Sequence, residues 1–457
     1  MRPVLCAGAG CAWLCFGIQA VSAATFTLTE AMAVAYETNP ELDSARAGQM
    51  STDEGVAQAE ANWRPSVNLQ GTYGYETLST GSGRAEPEIT YASHPITAGV
   101  QLTQNIYRGG RTAAEISKAK ALVRAGVAQL TLTEEGVLLD AVTAYMNCVR
   151  DDATMHYRQD NVATLQKQLD ASEEEFKVGE LTRTDVAQSR ARLADAQADL
   201  VNAQGELEVS RSNFEHVIGR PPETLETSPA LPKLPKTQDQ AVAISLHENP
   251  AIIAAIQSEK AADYAVADAV GALLPSVSLN AQYELSQDSL ESVYGEGVQH
   301  VTSVIGQVTI PIYQGGAEDS AIRQAKDQRS QAEIEIADTQ RQTEAATQTA
   351  WQAYTVAMGS IASDEIAVKA NEEAFEGVKA EQQVGSRTVL EVLNAQQELL
   401  TAQVALVSAQ RDAEVAAYQL LSALGWLTAK KLSLPVQTYD PSQNYKENAT
   451  RWFGFGN

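Results

Sequence analysis

Cysteine is scarce in this chain, with four in 457 residues. Three of them, Cys6, Cys11 and Cys15, sit near the start and leave Cys148 alone in the remainder. No disulfide can staple the body of the protein, which must be held by length and packing. Basic residues are outnumbered, 33 against 58 acidic, for a net charge of −25. A phosphate-binding face needs the opposite balance, so a nucleic-acid partner is not expected. The five histidines, His94, His156, His216, His247 and His300, are dispersed and match no metal-ligand spacing. Phosphate-cradling glycine loops and nucleophile elbows are absent, so neither an enzyme nor a bound cofactor is expected. Past residue 23 no apolar run is long enough to cross a bilayer as a helix. Any membrane crossing there must use strands. The apolar fraction of 44% is ordinary for a packed protein and argues against disorder as the meaning of the acidity.

The chain opens on what reads as a secretory signal peptide, residues 1–23. Arg2 supplies the charged region, Val4 to Ile18 the apolar core, and Val21-Ser22-Ala23 the small residues before cleavage. Cys11 follows Ala9-Gly10, but Gly8 stands where a lipid-attachment site carries a bulky aliphatic residue. That weighs against lipidation.

One short stretch occurs twice. Pro65-Ser66-Val67-Asn68-Leu69 returns as Pro275-Ser276-Val277-Ser278-Leu279, 210 positions later. Taken every second residue, Val67, Leu69, Gly71 and Tyr73 lie opposite Ser66, Asn68, Gln70 and Thr72. The twin sets Val277, Leu279, Ala281 and Tyr283 against Ser276, Ser278, Asn280 and Gln282. Period two with one apolar face predicts strands. Return strands follow. Thr97–Tyr107 has Val100, Leu102 and Ile106 on one face, and its twin has Val304, Val308, Ile310 and Ile312. Polar, acidic loops are expected between them at 77–95 and 287–300.

The offset persists. Asn39-Pro40 recurs as Asn249-Pro250, and Ile106-Tyr107-Arg108-Gly109-Gly110 as Ile312-Tyr313-Gln314-Gly315-Gly316, now 206 apart. Val178-Gly179 matches Val384-Gly385, and Asp185-Val186 matches Glu391-Val392, at the same 206. This is an internal duplication. The organisation it implies is a leader (1–23), a first repeat (24–220), a Pro-rich linker (221–236), a second repeat (237–426) and an irregular tail (427–457). Each repeat reads helix, strand, loop, strand, very long helix, turn, helix. From Arg111 to about Phe176, and from Ala317 to about Gln383, no breaker interrupts. Such helices are about 100 Å long at 1.5 Å per residue. On the first, Ile116, Ala119, Val123, Val127 and Leu130 are expected to form a buried stripe.

Four strands make a sheet with two open edges, which lipid cannot satisfy, so the chain must associate. Two copies would fill the interior with side chains, whereas three or more leave a lumen. The rival reading is a periplasmic adaptor, also exported and helical. The two strand pairs flanked by long helices argue against it.

The duplicated plan resembles the TolC family of outer-membrane channel-tunnels. The resemblance rests on both Asn-Pro pairs, both Pro-Ser-Val strand entries, the Tyr-x-Gly-Gly exits, and Val384-Gly385-Ser386-Arg387-Thr388. The fold it implies is mainly α, with four strands per protomer of a shared membrane β-barrel and a long helical tunnel. It implies an outer-membrane homotrimer meeting lipid, with a periplasmic adaptor and an inner-membrane pump of ABC or RND type as partners. It implies strands outward and turns deep in the periplasm, so that Ser82 and Ser289 lie outside the cell and Ser386 does not. By the same resemblance Arg387 reaches Thr184 and Asp185 of a neighbouring helix and shuts the tunnel end. Glu391 forms a lumen ring whose companion acid is Asn394 here, and the family's gate aromatic is Gln382.

Overall fold

The computed structural model describes residues 25–80, 89–287, 298–449, 451, 452 and 454. The leader, Cys11, Ser82 and Ser289 lie outside the described residues. Helix α1 (Leu28–Thr38) starts at a capping box between Thr27 and Glu30. Asn39 then ends α1 and begins α2 (Pro40–Ala61): its Oδ1 accepts from Glu41 N at 2.9 Å. Its amide donates to Val217 O, at the end of the distant helix α4 (Arg183–Ile218), at 3.2 Å. Asn249 repeats this between α5 (Gln238–Glu248) and α6 (Pro250–Gly271). It accepts from Ala251 N and donates to Ala423 O of α8 (Val389–Ala423), both at 2.9 Å. Each Asn-Pro therefore caps one helix, ends another and clasps a third.

Strands β1 (Ser66–Tyr73), β4 (Ile96–Arg108), β5 (Ser276–Gln287) and β6 (Val298–Thr309) form one antiparallel sheet in the order β1-β4-β5-β6. The expected loop at 77–95 is partly a second hairpin. β2 (Glu76–Thr80) pairs with β3 (Ile89–Ser93) and extends the first strand pair. Ile106 also departs from expectation. The register shifts between Asn105 and Tyr107, so Tyr107, not Ile106, lies opposite Val277. Ile310 stands just past the end of β6 and is 62% exposed.

Gly109 and Gly110 take positive φ where β4 meets α3 (Arg111–Lys177). A side chain at Gly109 would strike the Gly271 carbonyl, so this junction is also a close backbone crossing. Gly315 and Gly316 turn likewise into α7 (Ala317–Gln383). Within the expected stripe of α3, Val123 and Leu130 are buried, and Ile116, Ala119 and Val127 half-buried. A second seam, Ala114, Ala121 and Ala128 at intervals of seven, is also buried. Two seams arise because α3 packs on both α2 and α6.

The main core gathers Leu28, Met32 and Tyr36 of α1, Leu138 to Val149 of α3, Phe214 and Ile218 of α4, and Tyr418 and Leu421 of α8. Tyr145 fastens the linker to the chain start. Its hydroxyl donates to Phe26 O and accepts from Glu226 N, both at 2.7 Å. The tail is not wholly irregular: α9 (Ser442–Asn448) packs on α2.

Candidate functional site

Two surfaces could carry a channel's work, the turn end of the helical hairpins and the sheet. Both turns are built alike. Gly179 (φ +84°) ends α3 and Gly385 (φ +78°) ends α7, conformations a side chain would strain. Each following helix opens on a capping box, Thr182 with Asp185 and Thr388 with Glu391.

The caps spend the acids the sequence singled out. Asp185 Oδ2 accepts from Thr182 N at 3.0 Å and from the Thr182 hydroxyl at 2.7 Å. These bonds hold its pKa below the usual carboxylate range. Glu391 Oε2 accepts from Thr388 N at 2.8 Å, and its Oε1 from Arg387 Nη1 at 2.8 Å. The Thr388 amide first, then the Arg387 guanidinium, pull its pKa to about 2. Arg387 Nε donates to Glu381 Oε2, also at 2.8 Å. Within one chain Arg387 therefore bridges the two sides of its own turn and is not brought to Thr184 or Asp185. Thr184 is exposed.

Asn394 accepts from Arg192 Nη2 of α4 at 3.1 Å, a link between the two hairpins. Below it Val389 and Leu393 pack on Leu165, Leu169 and Leu193. Gln396 donates to Asn161 at 2.8 Å, buried in the same seam. Sequence reading missed Glu381, Arg192 and the Gln396–Asn161 pair. A capping-box search would have found the Thr182–Asp185 and Thr388–Glu391 partnerships and none of these.

The sheet separates its two faces where β1 pairs with β4. Val67 pairs with Leu102 and Leu69 with Val100, while Asn68 pairs with Gln101. The apolar row continues as Val100 to Tyr283 and Val277 to Val308. Leu279 adjoins it, opposite Gln104 and Gly306. These side chains stand bare in one chain: Leu69 is 81% exposed and Tyr73 74%. The polar row is laced by hydrogen bonds, Gln70 to Gln101 and Thr103 to Asn280, both at 3.2 Å. His94 stacks on Tyr73, and His300 Nδ1 lies 3.1 Å from Tyr283 Oη, so two of the dispersed histidines share one kind of place.

A duplicated sheet on duplicated helical hairpins of this length is the channel-tunnel architecture, a membrane barrel continued by a helical tunnel. The family model described as outer membrane efflux protein matches residues 32–220 and 242–426, and the chain belongs to that family. It is 36% identical to the outer membrane efflux protein BepC of Brucella suis biovar 1, over 94% of this chain and 91% of BepC. It is 26% identical to the outer membrane protein TolC of Escherichia coli, over 86% of this chain and 81% of TolC. The crystal structure of the Campylobacter jejuni CmeC outer membrane channel superposes with a TM-score of 0.77 at 18% identity, covering 93% of this chain and 89% of CmeC. The protein is an outer-membrane exit duct, one of a family of transport ducts rather than of enzymes.

Proposed function

We propose that three copies join their sheets into one twelve-stranded barrel and their helices into a tunnel across the periplasm. A periplasmic adaptor and an inner-membrane pump, of the ABC or RND type, dock at the turn end and open it. The observation that carries this reading is the open sheet. β1 and β6 each leave one edge unpaired, which hydrocarbon cannot satisfy. Twelve strands close the edges and leave a lumen, with the Leu69 face toward lipid and the Gln101 face inward.

In such a ring the Arg387 turn of one copy adjoins the Asp185 turn of the next. The gate is an exchange: Arg387 leaves Glu381 to hold Thr184 and Asp185 of the neighbouring copy, and docking reverses it. Glu391 and Asn394 line the narrowed mouth, where three carboxylates favour cations. Planar-bilayer recording tests the gate. Arg387→Ala and Asp185→Ala should keep a heat-resistant trimer and raise resting conductance, with the double variant adding less than the sum. Asp185 also caps α4, so Thr182→Ala is the control. An equal rise from Thr182→Ala, or wild-type conductance in both single variants, removes the pair from the gate.

A further inference from the structure

The tail follows a definite route. Tyr439 N donates to Tyr36 Oη at 3.0 Å, and the Arg46 guanidinium lies over the Tyr439 ring. Asn444 then donates to Met50 O and Asp53 Oδ2. Arg64 Nη1 donates to Arg451 O at 2.6 Å, and its guanidinium stacks on Trp452 at 5.0 Å. These contacts run in order from the end of α1 along α2 to Arg64, so by Trp452 the tail has reached the start of β1. β1 is a membrane strand, so this is the periplasmic edge of the bilayer.

What the tail delivers there is unusual for this chain. Trp452 is 62% exposed and Trp63, beside Arg64, is 47% exposed. An indole left bare in water is unfavourable, while the boundary of acyl chain and headgroup suits its apolar body and single N–H. The chain as a whole carries −25, yet this rim gathers Arg64 and Arg451, with Arg108 and Arg111 at the foot of the neighbouring strand. Arg108 and Arg111 are matched by Glu115 and Asp268, each at 2.9 Å. Among the described residues Arg64 has only Glu60, at 3.7 Å. Among the described residues Arg451 makes no ion pair; its Nη1 donates to Asn448 Oδ1 at 3.2 Å. Two under-matched guanidinium groups beside two exposed indoles complement an anionic phosphate lying above a hydrocarbon layer.

We propose that the C-terminal segment is a membrane-surface foot: Arg451 and Trp452, seated on Arg64 and flanked by Trp63, bind phospholipid headgroups of the periplasmic leaflet. The proposal rests on the outer-membrane barrel but not on the gate, and trimer assembly is read separately in its test. The full-length trimer is reconstituted in phosphatidylglycerol vesicles brominated either just below the headgroup or deep in the acyl chain. Shallow bromine should quench indole emission more than deep bromine, and Trp452→Phe should remove about half of the quenchable signal. Arg64→Ala with Arg451→Ala should keep the trimer band. It should lose the rise in melting temperature that phosphatidylglycerol gives the wild type in detergent.

Unchanged quenching in Trp452→Phe overturns the foot. An equal melting shift from inorganic phosphate overturns its lipid partner. Loss of the heat-resistant trimer in Trp452→Phe overturns it in favour of a role in assembly.

Discussion

The two long helices have the same length and opposite surroundings. α3 and α7 each run 67 residues, yet 22 residues of α3 are buried and only six of α7. α3 is gripped by α1, α2, α4, α6 and α8, whereas α7 packs on α5, α6 and α8. The difference teaches that length and burial have separate origins. Length is a property of the duplicated plan, and burial depends on which neighbours the same chain supplies. On α7 the positions Thr349, Gln352, Val356, Gly359, Ser363 and Ile366 recur at three and four and are all exposed. Val201 and Val209 of α4 are bare as well. In the proposed trimer these two faces cover each other between copies.

Three measurements would break or sharpen this contrast. The largest effect is expected from Val356→Asp with Ile366→Asp. Each would bury an unpaired carboxylate at every interface of the trimer, at a cost of several kcal/mol. Circular dichroism should be unchanged and the heat-resistant trimer lost; a full yield of trimer would mean α7 faces solvent in the assembly too. Next comes Phe214→Ala, on the α3 side. Phe214 is fully buried, with Phe26 and Tyr145 rings 6.3 and 6.2 Å away. Denaturant unfolding should show a loss of about 3–5 kcal/mol. Phe375→Ala on α7 should cost less, and an equal cost would erase the contrast.

The smallest effect concerns pH. Glu135 of α3 is 1% exposed, and neither carboxylate oxygen has a hydrogen-bond partner among the described residues. Burial, then the charge of Glu134, push its pKa up to about 8, against the opposing pull of the nearby Leu427 amide and the Lys431 charge. The folded chain thus keeps a proton that the unfolded chain releases near 4.5. Its ionisation costs folding nothing below that point, and stability falls as pH rises from about 4.5 to 8. Glu135→Gln should flatten that slope and stabilise the protein at pH 8 by roughly 1–3 kcal/mol. A slope unchanged by the substitution would mean that Glu135 ionises freely.

Much of this architecture is legible in the residues. Period two at Val67–Tyr73 and Val277–Tyr283 fixes the strands and their faces, and the Val-Gly pairs mark both helix turns to within a residue or two. The bulge at Ile106 is not legible, because it is set by the partner strand β5 rather than by local sequence. Nor is the β2–β3 hairpin, whose Ile89-Thr90-Tyr91 is short and sits beside a stretch rich in glycine and acid. At the turn end, Thr388 and Glu391 are legible as a capping box. Glu381 is not, since it meets Arg387 only because the glycine turn folds one side over the other.

The middle seam of the sheet sets a timetable. β4 pairs Ile96 with Gln287 and Arg108 with Ser276, partners 191 and 168 residues apart. β1 and β4, by contrast, meet within a few tens of residues, as Thr72 with Thr97. An interval therefore separates the pairing of β1 with β4 from that of β4 with β5. Through that interval the first hairpin has an unpaired edge and an uncovered apolar face, the form most exposed to wrong pairing. Closing so long a loop is slow compared with winding helices from local contacts. In a refolding experiment helical ellipticity should return first and strand protection last, so the rate-limiting event in building the duct is joining its halves.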